Sequence, residues 1–347
     1  MAPVDPQRKG RVLVTGGNGF IGHHVVRELL EKTPHQVEAT VQSSQMSAHL
    51  QAVHRNHPRL TMHVVPDITR ADAFVQAAQH CHAIIHLAAP PMTTGSDFEN
   101  DLVLPALQCV QVRIQAICHA ADANESVTRL VYCSSFAAVF DPSPSGSLPS
   151  KVYTEDDWNP TTYEQASKAP ELMLSYQGSK ALAEREVRKL CREQSKWDLV
   201  TICPGIVFGA PVDGSVGTVQ ELAQTNAALW DMFDKKDVPQ TTVPIWTAVT
   251  SLAEAQISAL SSSKAGGERF LVVNGAYENQ ELCDYLISSD LDEDSKSRVP
   301  TGNPGHRSNH WKADGSKAAE SLEFSKPTLK DTIVGVRNYL FRLAKSA

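Results

Sequence analysis

Tyr176 and Lys180, in Tyr176-Gln177-Gly178-Ser179-Lys180, stand four residues apart. On a helix that spacing puts both on one face, one turn apart. A free phenol ionises near about 10 and is a poor acid–base at neutral pH. A neighbouring ammonium favours the phenolate, and a pyridinium ring acts in the same direction. The pair therefore suits proton transfer to or from a substrate oxygen. Such a pair also occurs on many helices as a solvated polar couple, so its meaning depends on what accompanies it. Here it follows Val12-Leu13-Val14-Thr15-Gly16-Gly17-Asn18-Gly19-Phe20-Ile21-Gly22, a short apolar β-type run that opens into an amphipathic helical pattern. Gly16 permits a sharp strand-to-helix turn. Gly19 lets backbone approach a pyrophosphate, and Gly22 lets the helix pack closely on a sheet. The helix N-terminus then offers unpaired N–H groups and a positive dipole end to phosphates. A third element, Cys133-Ser134-Ser135, closes another apolar run. A serine there could hold a carbonyl oxygen beside the tyrosine, although two serines can also simply end a strand. No G-x-S-x-G elbow is present, which argues against a hydrolase nucleophile.

Placing these groups together requires a parallel sheet. Short β-type runs at Arg11–Thr15, Val37–Val41, Thr61–Val65, Ala83–Leu87, Leu130–Cys133 and Leu199–Ile202 alternate with helical patterns at Phe20–Glu31, Leu102–Ala121 and Tyr176–Leu190. Strands that each return through a helix run parallel and are covered on both faces. The carboxyl ends of such strands are where ligands bind, and Ser135 lies at one. The expected class is α/β, a doubly wound parallel sheet over residues 1–205 with a return segment near 243–262. Residues 206–347 mainly form a smaller α+β substrate lobe, ending in a helix over Lys330–Leu343. Asp141–Ser150 reads as a proline- and serine-rich surface loop, and Ser288–Asn309 as a polar, partly acidic stretch.

With 347 residues, 41% of them hydrophobic, the chain can bury a full α/β core. A net charge of −7 argues against nucleic acid as a partner. No apolar run reaches membrane-spanning length, and the polar, proline-containing start lacks the hydrophobic stretch of a secretory signal. The seven cysteines are scattered without C-x-x-C spacing. Both features predict a cytoplasmic protein with reduced thiols. Of the thirteen histidines, His54 with His57 and His82 with His86 are spaced like ligand pairs. No third ligand stands at a convincing distance, so no metal is expected.

The motifs, in this order, resemble the extended short-chain dehydrogenase/reductase family over nearly the whole chain. Thr15–Gly22 looks like its cofactor motif. Asp67-Ile68 resembles the pair bordering the adenine, and His86-Leu87-Ala88-Ala89 the fourth-strand motif lining the cofactor. Ser135, Tyr176 and Lys180 match the catalytic trio. Pro204-Gly205-Ile206-Val207-Phe208-Gly209 matches the segment that meets the nicotinamide amide. Val37–Val41, Asp156-Asp157-Trp158-Asn159, Pro204–Gly209 and Thr301–Gly305 carry a closer likeness. It is to the dihydroflavonol reductase and cinnamoyl-CoA reductase branch, with fungal aldehyde and ketone (methylglyoxal-type) reductases nearest. The resemblance implies a Rossmann-type fold and reduction of an aldehyde or ketone to an alcohol by a nicotinamide cofactor. Tyr176 would be the proton donor, Lys180 the holder of the nicotinamide ribose, and Ser135 the group that polarises the carbonyl. The cofactor motif carries Gly16, Asn18, Gly19, Phe20, Ile21 and Gly22 onto the dinucleotide. Asp67, Ile68, Leu87, Ala88, Ala89, Pro204, Gly205 and Val207 border it.

Three positions depart from that family's pattern. Gln42, followed by Ser43 and Ser44, stands where an arginine would pair the adenosine 2′-phosphate, and glutamine does not replace that charge. The carboxylate that would repel a phosphate is also missing, its place being Val41. NADPH is expected, with NADH left open: Gln42 and Ser43 would border the 2′ position, and Ser43 and Ser44 could hydrogen-bond either the phosphate or the hydroxyl. Cys109 replaces a small glycine. Ser251 replaces an aspartate and should cap a helix near Ala253. Met92, Phe136, Trp230, Met232 and Phe233 could wall an apolar substrate pocket, or could equally be ordinary packing. The expected partner is a small carbonyl compound, with the chain a monomer or homodimer. Two rivals remain. One is another enzyme of the same fold, a sugar-nucleotide epimerase or dehydratase or a hydroxysteroid dehydrogenase. The other is a non-catalytic dinucleotide sensor. A sugar diphosphate would need basic groups in the C-terminal lobe, where Arg298 and Arg307 are the exceptions to a sparse supply. A sensor would be expected to lose the tyrosine or the lysine.

Overall fold

Val12 and Val14 turn to one side of β1 (Arg11–Thr15), Leu13 turns to the other, and all three are fully buried. Side chains buried on both faces mark a sheet covered on both sides. The computed structural model describes residues 9–68, 70, 72–88, 116, 119–120, 123, 125–169, 171–192, 196–288 and 293–346. Most of the helix expected over 102–121, with Cys109 and Cys118, lies outside them. After β1 come α1 (Phe20–Lys32), β2 (Gln36–Val41), α2 (Ser44–Val53), β3 (Leu60–Val64), β4 (Ala83–His86) and β5 (Arg129–Cys133). The chain continues through α3 (Leu172–Arg192), β6 (Asp198–Pro204), β7 (Ile206–Phe208) and α4 (Gln224–Trp230). It then runs through β8 (Ile245–Ala248), α5 (Val249–Ser261), β9 (Arg269–Val272), β10 (Gly275–Ala276), α6 (Asn279–Ile287) and α7 (Leu329–Ser346).

Seven strands make one parallel sheet in the order β3-β2-β1-β4-β5-β6-β9. The order reverses between β1 and β4, the switch point at which open α/β sheets bind ligands. One face packs against α1 and α5 through Val25, Leu29, Leu252 and Ala259. The other packs against α3 through Val187 and Cys191. The six expected strands are present, each within two residues of its expected ends. The seventh, β9, was not expected. It is four residues long, begins on an arginine, and is defined only by its pairing with β6, so the return to the sheet extends to residue 272.

Arg129 fastens this edge. It is 2% exposed, grips Asp198 with two hydrogen bonds of 2.7 and 2.9 Å, and donates to the Ala259 and Ser262 carbonyls at the end of α5. Carbonyls left unpaired at a helix C-terminus are thereby satisfied by a cation. Ser251 does not cap α5 as expected. The helix begins three residues earlier, at Val249 after Ala248. Ser251 is buried instead, donating to the Ser325 carbonyl at 2.6 Å and accepting from Asn274 at 3.0 Å. The short sheet β10-β8-β7 joins α4, α6 and α7 in a second core, where Ile333, Val336 and Leu340 line the buried face of α7.

Candidate active site

The glycine turn is shaped by close approach. Gly16 has φ +70°, a left-handed conformation that disfavours a side chain. A Cβ on Gly22 would lie 2.8 Å from the Gly17 carbonyl carbon, so the first turn of α1 lies directly on the loop. Gly19 is the N-cap of α1, and no side chain caps it. The helix's first N–H groups are thus left to a ligand. Asn18 sits beside Met46 of α2 and Phe20 stacks edge-on against His24. Ile21 is half-buried against the core. β4 is strapped to the same turn. The Thr15 hydroxyl bonds His86 Nδ1 at 2.8 Å and accepts from the Leu87 N–H at 3.3 Å. Asp67 is exposed and Ile68 half-buried just beyond β3. Ala89 and Met92 lie outside the described residues.

Ser135 follows β5 and caps the short 3-10 turn Phe136–Ala138, its hydroxyl accepting from the Ala137 N–H at 3.1 Å. That leaves the O–H free to donate. α3 packs against this turn. Tyr176 and Lys180 are half-buried on α3, with the ammonium 5.5 Å from the phenol ring centroid. Lys180 is also near enough to oppose, by its charge, the burial that pushes the Cys133 thiol up to about 11. The strand end and the two helix residues therefore meet. Gly205 joins from the β6–β7 junction, its N–H donating to Thr247 at 2.9 Å. Pro204 is buried there, and the Val207 carbonyl accepts from Thr225 at 2.6 Å. At the far end Gln42 is exposed, and Ser43 caps α2 by accepting from the Met46 N–H at 3.2 Å.

The aromatic candidates lie differently. Phe136 is 2% exposed and stacks on Trp311 at 5.4 Å in a core with Tyr153. Phe233 and Met232 are buried in the lobe core, where Trp230 packs on Phe233 and Phe341. Phe136 and Phe233 find aromatic partners within these cores, while Trp230 is half-buried. A group that no sequence motif marks lies behind the trio. Glu184 on α3 is wholly buried between Arg269 and Ser134. It reads in sequence as one charge among Glu184-Arg185-Glu186, a pattern that ordinarily faces water.

Residues 13–277 match the model of the 3-beta hydroxysteroid dehydrogenase/isomerase family. The chain belongs to that family, within the extended short-chain dehydrogenases/reductases. Among family relatives, the NADPH-dependent methylglyoxal reductase GRE2 of Saccharomyces cerevisiae is 31% identical over 93% of this chain and 95% of its own length. The ketoreductase azaE of Aspergillus niger is 30% identical over 82% of this chain and 87% of its own. The crystal structure of yeast methylglyoxal/isovaleraldehyde reductase Gre2 complexed with NADPH superposes with a TM-score of 0.87 at 27% identity, covering 97% of this chain and all of that one. A UDP-glucuronic acid 4-epimerase from Bacillus cereus, at 19% identity and TM-score 0.70 over 97% and 98% of the two chains, shares the fold. No described helix is long and apolar enough to cross a membrane.

Proposed function

We propose that this chain is an NADPH-dependent carbonyl reductase of the cytosol, converting aldehydes and ketones, α-dicarbonyls among them, to alcohols. One observation carries the reading: Tyr176 and Lys180 share a face of the helix that packs on the turn opened by Ser135. The glycine turn fits a dinucleotide, because Gly22 lets the first turn of α1 lie directly on the loop and no side chain caps the α1 N–H groups. Gly16, Asn18, Gly19, Phe20 and Ile21 would hold the pyrophosphate, Lys180 the nicotinamide ribose. Leu87, Ala88, Pro204, Gly205 and Val207 would border the rings. When bound, the reduced nicotinamide supplies the hydride. Ser135 donates a hydrogen bond to the substrate carbonyl oxygen and fixes its direction. Tyr176 Oη passes its proton to that oxygen as negative charge builds there, and the Lys180 ammonium stabilises the phenol oxygen left behind.

The choice of NADPH rests on the relatives named for it. Gln42 and Ser43 can hydrogen-bond a 2′-phosphate, and Val41 offers no carboxylate to repel one. The five described cysteines are free, which fits a reducing compartment. A sugar diphosphate is poorly served. Arg298 grips Asp234 at 2.7 and 2.8 Å, and Arg307 lies 3.2 Å from Asp284, so these two arginines are already paired. NADPH and NADH oxidation across aldehydes, α-dicarbonyls, β-ketoesters and aryl ketones tests the proposal. Turnover of aldehydes and α-dicarbonyls with NADPH is expected. Silence on every class with both cofactors would overturn it.

A further inference from the structure

Glu184 lies two turns beyond Tyr176 on α3, with Lys180 between them, and its side chain has no exposure. Its Oε1 accepts from Arg269 Nε at 2.7 Å. Its Oε2 accepts from Ser134 Oγ at 2.6 Å and from Arg269 Nη2 at 3.2 Å. The guanidinium is itself held. Nη1 donates to the Glu155 and Asp157 carbonyls at 2.9 and 2.6 Å, Nη2 to the Ala138 carbonyl at 3.3 Å, and the group lies 3.9 Å from the Trp158 ring centroid.

A buried ion pair is a weak source of net stability, because desolvation offsets the attraction and well-packed apolar residues often hold a fold as well. What this pair provides is definition. Ser134 adjoins Ser135. Ala138 closes the turn that Ser135 caps. Glu184 rides the helix that carries Tyr176 and Lys180. One carboxylate thus pins the strand end and the helix to a common point. We infer that Glu184, anchored by Arg269, positions Ser135 against Tyr176 through its hydrogen bond to Ser134. Ser134 and Glu184 are positioning residues here, and the inference rests on the carbonyl-reductase reading of Ser135 and Tyr176.

Ser134→Ala isolates the link. The Ser134 N–H keeps its bond to the Ile202 carbonyl at 2.8 Å, and Glu184 keeps Arg269. In the full chain, with NADPH and methylglyoxal, kcat should fall about ten-fold. KM, cofactor affinity by NADPH fluorescence and melting temperature should stay close to the parent. In a Ser135→Ala background, removing the Ser134 hydroxyl should cost less than about two-fold, since residues acting through one another are not additive. The same loss in both backgrounds, or parental kcat in Ser134→Ala, would overturn the inference. Ser134→Thr and Ser134→Val repeat the comparison at matched shape: the threonine should retain kcat and the valine lose it, and equal rates would again overturn it. Undiminished turnover in Ser135→Ala alone would instead remove the reading of the site on which the inference stands.

Discussion

Gln42 sets the sharpest question at the scale of single residues. It is exposed at the end of β2 beside Ser43, whose hydroxyl already accepts the α2 capping bond. A 2′-phosphate would meet hydrogen-bonding groups there but no guanidinium fork. A charge-assisted bond is roughly twice as strong as a neutral one. Gln42→Arg should therefore raise the NADPH-to-NADH ratio of kcat/KM by about ten-fold. An unchanged ratio in steady-state assays would mean that this strand end does not read the 2′ position. Residues inside contiguous motifs were legible from sequence, because local geometry alone gives Gly16, Tyr176 and Lys180 their places. Glu184 was not. Its partners Ser134 and Arg269 are 50 and 85 residues away, and only the sheet order brings them together. Phe136 and Phe233 stayed open between two readings for a related reason: apolar rings look the same in sequence whether they line a pocket or fill a core.

Among the elements, α1 and α2 share a buried histidine cluster. His23 Nδ1 and His54 Nε2 are 3.3 Å apart with their rings stacked, and His24 Nε2 bonds the Ala210 carbonyl at 3.0 Å. Burial holds His23 and His24 down to about 3 and His54 to about 4. Neighbouring imidazoles add to the effect at His23, and the Arg27 charge adds to it at His24 and His54. The unfolded chain binds protons near the ordinary value of about 6.5 while the folded chain does not. Their contribution to stability is therefore complete above about pH 6.5 and is lost progressively as the pH falls toward 3. Thermal melts from pH 7 to pH 5 should show a falling midpoint, with a shallower fall in His54→Gln than in the parent. Parallel slopes would remove the cluster from the pH response. Strands and helices with strong apolar periodicity were readable along this half of the chain. The start of α5 was displaced from its expected cap because Ser251 is drawn into bonds with Asn274 and Ser325, partners remote in sequence.

Over the whole molecule, two arginines at strand starts knit the sheet to its surroundings. Arg129 closes on Asp198 and the end of α5, and Arg269 on Glu184 and the loop bearing Trp158. β9 and the small sheet β10-β8-β7 exist through such long-range pairings, which is why their four-, two- and three-residue strands carried little sequence signal. The assembly delivers the end of β5, the middle of α3 and the glycine turn to the switch point of one sheet. All of it depends on Tyr176 being the proton donor there. Tyr176→Phe keeps the ring and removes only the hydroxyl, so kcat for methylglyoxal should fall by at least about a thousand-fold while NADPH affinity stays near the parental value. Turnover within a few-fold of the parent, with the cofactor still bound, would contradict the account.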